Sequence, residues 1–539
     1  MEIDCDIMIV GAGPVGLLSA YLAHLCDLKV CIVDKSSAPL QVGRADALNG
    51  RTLQLLEIVN LFNDLYPLGK VCNTSSVYAD GKFLSRQSAW WEALEGCFHK
   101  HFLMLGQAYT EQLLDEKLQK ANGDGGKGQC ILKRNTTVQD IQLTENECRT
   151  TLSSGETVSS RFLIGADGSH SFVRNHFKVP FNITRPEIVW AVVDGVIETT
   201  FEKVPEIIVF QTETSDVSWI PREADIDRFY IRMDRKDFTF EETMERINIA
   251  LYPHTLTFKE VRWFSQFSVK ESVAEQYVID GKVFLAGDAA HIHSVNGGQG
   301  LNTGLADAMN LVFKLHAVIR QGAPLDHLQA YERERKPVAE SVIQSSGALV
   351  RSTKFSEHGT HAQDYVKIVE KKAGNITGMG INYHDEKSSD VLQGIRLHDF
   401  LIEKNISEGG EKEIEHSGSL RVYTLLDYRG YTLVAFNADH IPFSVPSFVK
   451  PLYISIPETS GDGIKDNDVG STSSSIQEEK ENISRSTVHD GLGLYHLKSP
   501  CPYSSGQLLL VRPDSYIAAS GSLEGHSFID SFLQYIQNE

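Results

Sequence analysis

The sequence predicts an α/β fold, with a second sheet of antiparallel strands inserted into it and a further strand-rich α/β segment at the C-terminus. Three observations predict this. Cys5-Asp6-Ile7-Met8-Ile9-Val10 is a short apolar run; a glycine turn, a helical stretch from about Val15 to Cys26 and a second apolar run, Val30-Cys31-Ile32-Val33, follow it and close at Asp34. That is a β-α-β unit. From about 180 to 280 the pattern becomes short alternating runs such as Ile207-Ile208-Val209-Phe210 and Arg228-Phe229-Tyr230-Ile231-Arg232, as antiparallel strands require. A buried run then returns at Val283-Phe284-Leu285-Ala286, ahead of a glycine loop and a helix from about Asn302 to Ile319.

The remaining elements follow in order. Helices are expected over about Arg51–Phe62 and Thr110–Ala121, and strands between about 130 and 164. At 539 residues the chain exceeds one core, and about 150 residues per domain implies three or four. The expected division is 1–179 with 281–353 as one domain, 180–280 with parts of 72–104 as a second, 354–395 as a polar linker and 396–539 as a third. Within the third, 461–490 is rich in Ser, Glu, Lys and Asn and reads as a disordered insertion.

Composition narrows function. With 51 basic and 71 acidic residues the net charge is −20, a field that repels phosphate backbones and anionic bilayers, so neither a nucleic-acid nor a membrane partner is expected. The uncharged stretch Ile7–Cys26 has the length of a membrane span, but Gly11, Gly13, Pro14 and Gly16 would break such a helix. Eight scattered cysteines form no CxxC pair and no Cys/His cluster, so neither a metal site nor a disulfide framework is signalled. A reducing, cytoplasmic setting fits, as does an N-terminus that opens Met1-Glu2-Ile3-Asp4, acidic where a signal peptide is basic.

Gly11-Ala12-Gly13-Pro14-Val15-Gly16 matches G-x-G-x-x-G between strand and helix, which lets backbone N–H groups meet a pyrophosphate at a helix N-terminus. Asp34 lies 18 residues past Gly16, near the distance of a ribose-binding carboxylate, and Lys35 follows it. This Rossmann-like motif leaves NAD and FAD both open. Two later motifs bear on the choice. One is Ile164-Gly165-Ala166-Asp167-Gly168, with Arg174 beyond it; the other is Leu285-Ala286-Gly287-Asp288-Ala289-Ala290-His291, followed by Gly297-Gly298-Gln299-Gly300-Leu301-Asn302.

In the order of these motifs the sequence resembles the class A FAD-dependent aromatic hydroxylases, in particular their phenol hydroxylase branch. The resemblance implies resident FAD, with NADPH as a transient co-substrate and O2 as the oxidant. By it, Gly11, Gly13, Pro14, Val15, Gly16, Asp34 and Lys35 hold the adenosine and pyrophosphate, Asp288 holds the ribityl chain, the backbone at Gly300, Leu301 and Asn302 faces the pyrimidine, and Gly298 is a further cofactor-binding position. Arg44 and Gln107 match further cofactor-touching positions, and Asp167 matches a supporting one. A helix N-cap is the alternative for Asp288, and a salt bridge or cap for Arg44 and Gln107.

The segment Gly43-Arg44-Ala45-Asp46-Ala47-Leu48-Asn49 resembles the one whose aspartate faces the phenol, and Arg222 with Tyr230 matches the same branch. The resemblance thus makes Asp46, Arg222 and Tyr230 the catalytic candidates for hydroxylating a phenolic substrate through a flavin C4a-hydroperoxide. That electrophile wants an electron-rich ring, and a phenol with a pKa of about 10 must be helped towards phenolate. Asp46 would take or hydrogen-bond the proton, its own pKa raised by burial; Tyr230 would orient the oxygen and Arg222 would offset negative charge. The alternatives are a loop aspartate and a core tyrosine. Trp90, Trp91, Phe210 and Trp219 suit a pocket wall and a core equally. Val295 stands where the family has proline, which leaves regiochemistry open. The C-terminal region resembles the thioredoxin-like appendage of phenol hydroxylases but has no CxxC, so packing or contact in a homodimer is its expected role. Rival readings are another oxygenation on the same scaffold, such as epoxidation, dearomatisation or oxidative decarboxylation, an NAD-dependent dehydrogenase, and a silent flavin-binding protein.

Overall fold

The apolar run Cys5–Val10 becomes an inner strand of an eight-stranded sheet. The main path runs Val278–Ile279, Val283–Leu285, Thr157–Gly165, Cys5–Val10, Val30–Val33 and Cys130–Lys133; Cys148–Leu152 and Val138–Leu143 continue from Thr157–Gly165. Pairings among Val283–Leu285, Thr157–Gly165, Cys5–Val10, Val30–Val33 and Cys130–Lys133 are all parallel. Parallel strands are buried on both faces, which is why Val30–Val33 and Val283–Leu285 read as unbroken apolar runs. The computed structural model describes residues 3–92, 94–123, 129–183, 188–212, 216–269, 271–294, 298–351, 367, 369–384, 388–404, 419–438, 440–456 and 494–537.

Pro14 opens the helix Pro14–Leu25, where its fixed φ suits the first turn. Two glycines let the strand, turn and helix close up. A Cβ on Gly11 (φ 103°) would lie 2.4 Å from the Ala166 carbonyl oxygen, and one on Gly16 would lie 1.9 Å from that of Gly11. The single helix expected over Arg51–Phe62 is instead two, Gly50–Ile58 and Phe62–Leu65, because Asn60 adopts φ 57° and turns the chain left-handed between them. The later helix starts earlier than expected, at Gln299, directly after Gly298 with φ 60°, and runs to Arg320.

The inserted sheet has seven strands in the order Leu256–Val269, Ile188–Thr199, Asp227–Met233, Asp216–Pro221, Ile207–Gln211, Ser75–Ala79 and Lys82–Gln87. Its two faces separate by parity. Ala191, Val193, Phe210, Trp219, Phe229 and Ile231 point one way into a core closed by the helix Phe240–Leu251, which starts on a Thr239/Glu242 capping box. Each fully buried aromatic there contributes about 1.5–3 kcal/mol. Phe210 and Trp219 therefore belong to a core, and Trp91 packs edge-on against Phe102 in another. The opposite face carries Asp194, Arg228 and Tyr230, the alternate residues of the same strands.

The C-terminal sheet runs Leu420–Arg421, Leu401–Lys404, Leu494–Leu497, Val449–Ser455, Tyr431–Phe436, Gln507–Val511 and Ile517–Ser522, with the helix Ser527–Gln537 packed on it. The insertion 461–490 and the linker segment 354–366 lie outside the described residues. Among the described residues no helix is long and apolar enough to cross a membrane.

Buried cations fasten this sheet to the rest through hydrogen bonds and ion pairs. The Arg51 guanidinium donates to the Asp514 carbonyl (2.7 Å) and to the Tyr423 hydroxyl (3.2 Å). Arg512 forks onto both oxygens of Glu334 at 2.8 Å, and Lys314 Nζ reaches the same carboxylate at 2.9 Å. Burial opposes charge on Glu334, but Arg512 and Lys314 overcome it and hold the carboxyl well below its ordinary 4.5. Burial, with Arg512 close by, pushes Lys314 down to about 8 even though it pairs with Glu334. The two shifts agree physically, since one acid serves two cations.

Glu334→Gln leaves both cations without their shared counter-charge and is expected to cost about 3–5 kcal/mol, read as a lower midpoint in guanidinium unfolding. Because Glu334 keeps its charge to lower pH in the folded chain, it adds stability above its ordinary 4.5 that is lost as the pH falls further. The wild-type midpoint should therefore drop on acidification through that range more steeply than that of the variant.

Candidate active site

The G-x-G-x-x-G turn, the Gly287-Asp288 turn and the start of the helix Gln299–Arg320 meet around Val15. A Cβ on Gly287 or on Gly304 would lie 2.9 or 2.7 Å from Val15 Cγ2, so close packing brings the two motifs together. Asp34 ties the first turn to the end of the second strand: its carboxylate accepts from the Ala12 and Ser36 N–H groups, both at 2.6 Å. Lys35 beside it is exposed. Gly13 and Gly300 differ from the packed glycines, with nothing within 4 Å of where a Cβ would stand.

Asp288 is open to solvent although protein surrounds it, the position of a carboxylate on the floor of a cleft. The surrounding protein pushes its carboxyl up, while His291 and Arg44 pull it down. It caps no helix. Its oxygens have no hydrogen-bond partner among the described residues. Open glycine turns at two helix starts, with a free carboxylate between them, fit a dinucleotide with a polyhydroxyl chain, and FAD has that chemistry. Gly11, Gly13, Pro14, Val15, Gly16, Asp34, Asp288, Gly298, Gly300 and Leu301 would hold it.

The support beneath this cleft is ionic. Asp307, on the helix Gln299–Arg320, accepts from the Gly287 N–H (3.0 Å), from His291 Nε2 (2.6 Å) and from Arg335 Nε (2.7 Å). Burial would raise its carboxyl, but His291 and Arg335 hold it at about 2. Asp167 is turned inward too: it accepts from the Ser171 hydroxyl (2.5 Å) and the Val173 N–H (3.1 Å). Arg174 then donates to the Ala289 carbonyl at 3.0 Å, beside Asp288. The Asp-Gly motif thus braces the Gly-Asp turn. Asn302 uses its side chain rather than its backbone alone, accepting from Asn49 N–H (2.9 Å) and Thr52 Oγ1 (2.7 Å) and donating to the Ala47 carbonyl (2.9 Å).

That staple fixes the segment carrying Asp46. Asp46 is buried, and its Oδ2 accepts from the Tyr230 hydroxyl at 3.2 Å and faces Arg228 Nη1 at 3.4 Å. Its Oδ1 has no partner among the described residues. Burial pushes the Tyr230 phenol up, so it stays a neutral donor, and Arg228 donates to its oxygen at 3.0 Å. Arg222 stands apart, gripped by Glu223 at 2.6 and 2.9 Å and by Asp194 at 3.3 Å. Gln107 donates to Glu111 at 2.7 Å and accepts weakly from the Ala45 N–H at 3.4 Å. Arg44 is exposed at φ 64°, and its carbonyl accepts from Arg228.

The sequence reading missed Arg228, Asp194 and Glu223. Arg228 is fully buried and chelates Asp194 at 2.5 and 2.6 Å. A signal existed: Arg228 stands two residues before Tyr230, hence on the same face of the strand. The expectation for Asp46 treated it as a lone buried acid; Arg228 makes it half of an ion pair.

Residues 4–346 match the FAD binding domain family. The chain is 27% identical over 397 residues to phenol 2-monooxygenase fsqG of Aspergillus fumigatus, a match covering 70% of this chain and 65% of that one. It is 26% identical over 477 residues to 3-hydroxybenzoate 4-monooxygenase of Comamonas testosteroni, covering 77% and 72%. The chain thus spans less than two thirds of the first of these relatives. In three dimensions it superposes on aklavinone-11 hydroxylase, solved with FAD and aklavinone, with a TM-score of 0.73 over 100% of both chains at 19% identity. The chain therefore belongs to the FAD binding domain family, with an α/β fold and an inserted sheet shared with the solved hydroxylase.

Proposed function

We propose that the protein hydroxylates a phenolic substrate, using NADPH and O2, with the ring held between the FAD cleft and the face of the inserted sheet that carries Tyr230. The observation that carries this reading is the state of Asp46: one carboxylate oxygen is engaged by Tyr230 and Arg228, and the other is free. The relatives named for phenol and hydroxybenzoate oxygenation support it.

FAD, when bound, supplies the redox and oxygen-activating chemistry; the residues of the chain prepare the ring. Asp46 Oδ1 accepts the phenolic proton, which leaves the ring oxygen richer in electrons and the ring easier to attack. Arg228 offsets the charge that then builds up beside it, and the Tyr230 hydroxyl, held between Arg228 and Asp46, fixes the direction of approach. Asp194 grips Arg228 from the far side and keeps it from collapsing onto Asp46. Arg222, saturated by Glu223 and Asp194, acts on the charge of the site from a distance. NADPH docks transiently and leaves.

The C-terminal sheet is read as thioredoxin-like in descent, with parallel strands Tyr431–Phe436 and Val449–Ser455 beside antiparallel Gln507–Val511. Its part is to pack on the first domain or to join two copies of the chain, since it carries no CxxC.

NADPH consumption by the FAD-loaded protein across a panel of phenols, with products weighed by mass spectrometry, tests the reading. Stimulation by a phenol that gains one oxygen atom supports it, and indifference to every phenol overturns it. Asp46→Asn should lower kcat by about 10²–10⁴ while the protein stays yellow. Tyr230→Phe should lose one neutral hydrogen bond, about 0.5–1.5 kcal/mol, seen as a roughly two- to tenfold loss in kcat/KM. Asp288→Ala should instead reduce the flavin-to-protein ratio recovered on purification.

A further inference from the structure

Asp46 belongs to an ionic cluster whose charges do not balance. Its five members, Asp46, Asp194, Arg222, Glu223 and Arg228, are each more than nine-tenths buried. Every guanidinium nitrogen in it is engaged. Arg222 forks onto Glu223, with Nε at 2.9 Å and Nη2 at 2.6 Å, and its Nη1 reaches Asp194 at 3.3 Å. Arg228 spends Nε and Nη2 on Asp194, and Nη1 on Tyr230, Asp46 and the Arg44 carbonyl. Glu223 also accepts from the Gly106 N–H at 3.2 Å, next to Leu105, whose own N–H donates to the Asp46 carbonyl at 2.9 Å. The cluster is therefore anchored on both sides of the segment that carries Asp46.

Two cations thus meet three carboxylates, which leaves one negative charge in surplus where water does not reach it. Glu223 makes the difference, since Asp46 and Asp194 alone would balance the two arginines. Burial opposes the charge on Arg222, and Glu223 with Asp46 upholds it. The other arginines nearby do not redress the balance: Arg44 is exposed and acts on Asp288, and Arg232, one pleat beyond Tyr230, has an interaction of its own. Next to the ionic cluster the same face turns apolar. Ile220 stands opposite Arg228 across a strand boundary, and with Ile207 it packs, half-buried, against Ala47 and Met104.

We propose that Glu223 determines which phenols the site accepts: by cancelling Arg222 it leaves Asp46 in surroundings of net negative charge, so the substrate is an uncharged phenol whose ring carries no carboxylate. This rests on the hydroxylase reading and narrows it. A guanidinium that already holds one carboxylate through two parallel bonds has no such edge left for another, so Arg222 is no receptor for an acidic substrate. An anionic group on the ring would instead stand within one ring's width of the surplus charge, at low dielectric, where like charges repel strongly. Exclusion by an unmatched charge is a common route to specificity. The exposed edges of Ile207 and Ile220 give an uncharged ring apolar surface to cover.

The test compares 4-hydroxyacetophenone with 4-hydroxybenzoate, and the two 3-hydroxy isomers with each other. Within a pair the phenol and the shape are nearly the same and one negative charge differs. Dissociation constants are read from the change in flavin absorbance of the oxidised holoenzyme, without NADPH. The wild type should prefer the ketone by about tenfold or more. Glu223→Gln, which keeps an acceptor for the Gly106 N–H and removes the charge, should tighten the benzoate about tenfold and leave the ketone within about twofold. Glu223→Asp, which restores the charge, should restore the preference. A wild type that binds the benzoate as well as the ketone, or binds neither, overturns the proposal whatever the variants do. Equal weakening of both ligands by Glu223→Gln, or a preference lost in both variants alike, marks Glu223 as packing and overturns it too. NADPH consumption with neutral phenols is measured separately, so absent turnover beside an intact binding preference counts against the hydroxylase reading alone.

Discussion

The arrangement of the site depends on the need to satisfy one guanidinium that water cannot reach. Arg228 is sealed between the inserted sheet and the first domain, and a charge buried there persists only if acceptors surround it. They come from three places: both oxygens of Asp194 on the neighbouring strand, the Tyr230 hydroxyl on its own strand, and Asp46 with the Arg44 carbonyl on the loop of the first domain. Since a guanidinium is planar and its donors are fixed, these partners have one mutual arrangement that serves it. That demand ties sheet and loop together, beside the close packing of Gly43 on the Trp263 ring.

The same logic repeats beneath the cofactor cleft. Asp307 gathers a backbone N–H, a histidine and an arginine, and Arg335 passes the connection on to the Thr303 carbonyl and to the Tyr383 hydroxyl. Asn302 links the start of that helix to the segment leading from Asp46. Residues that are fully engaged thus hold the segments around Asp288 and Asp46, so that Asp288 and Asp46 Oδ1 stay unpaired among the described residues without the backbone relaxing to pair them.

The parts legible in the sequence were those set by local backbone geometry. Gly11, Gly16 and Gly287 announce themselves because only glycine fits where another chain segment passes so closely. The turn that carries Asp288 was legible through its glycine context, and the inserted sheet through alternation. The cross-strand partners were not. Asp194 and Arg228 are 34 residues apart, and only the register of two strands sets them opposite each other. Nor does composition reveal that Asn60 turns left-handed and divides a helix, or that Asn302 spends its side chain on Ala47, Asn49 and Thr52. Such facts belong to pairing, and pairing is decided by the whole fold.

Arg228 holds residue 44 by its carbonyl, an atom every amino acid has, while the side chain of Arg44 points elsewhere and acts on Asp288 through charge alone. Loop geometry and the charge acting on Asp288 are therefore governed by different atoms at this position. Replacing the side chain at position 44 would retune the charge on Asp288 without breaking the bond that holds the loop, whereas a replacement at position 228 would disturb every partner at once. The two arginines, neighbours in space, thus differ in what a substitution would break: none of the contacts that hold the loop at position 44, and all of them at position 228.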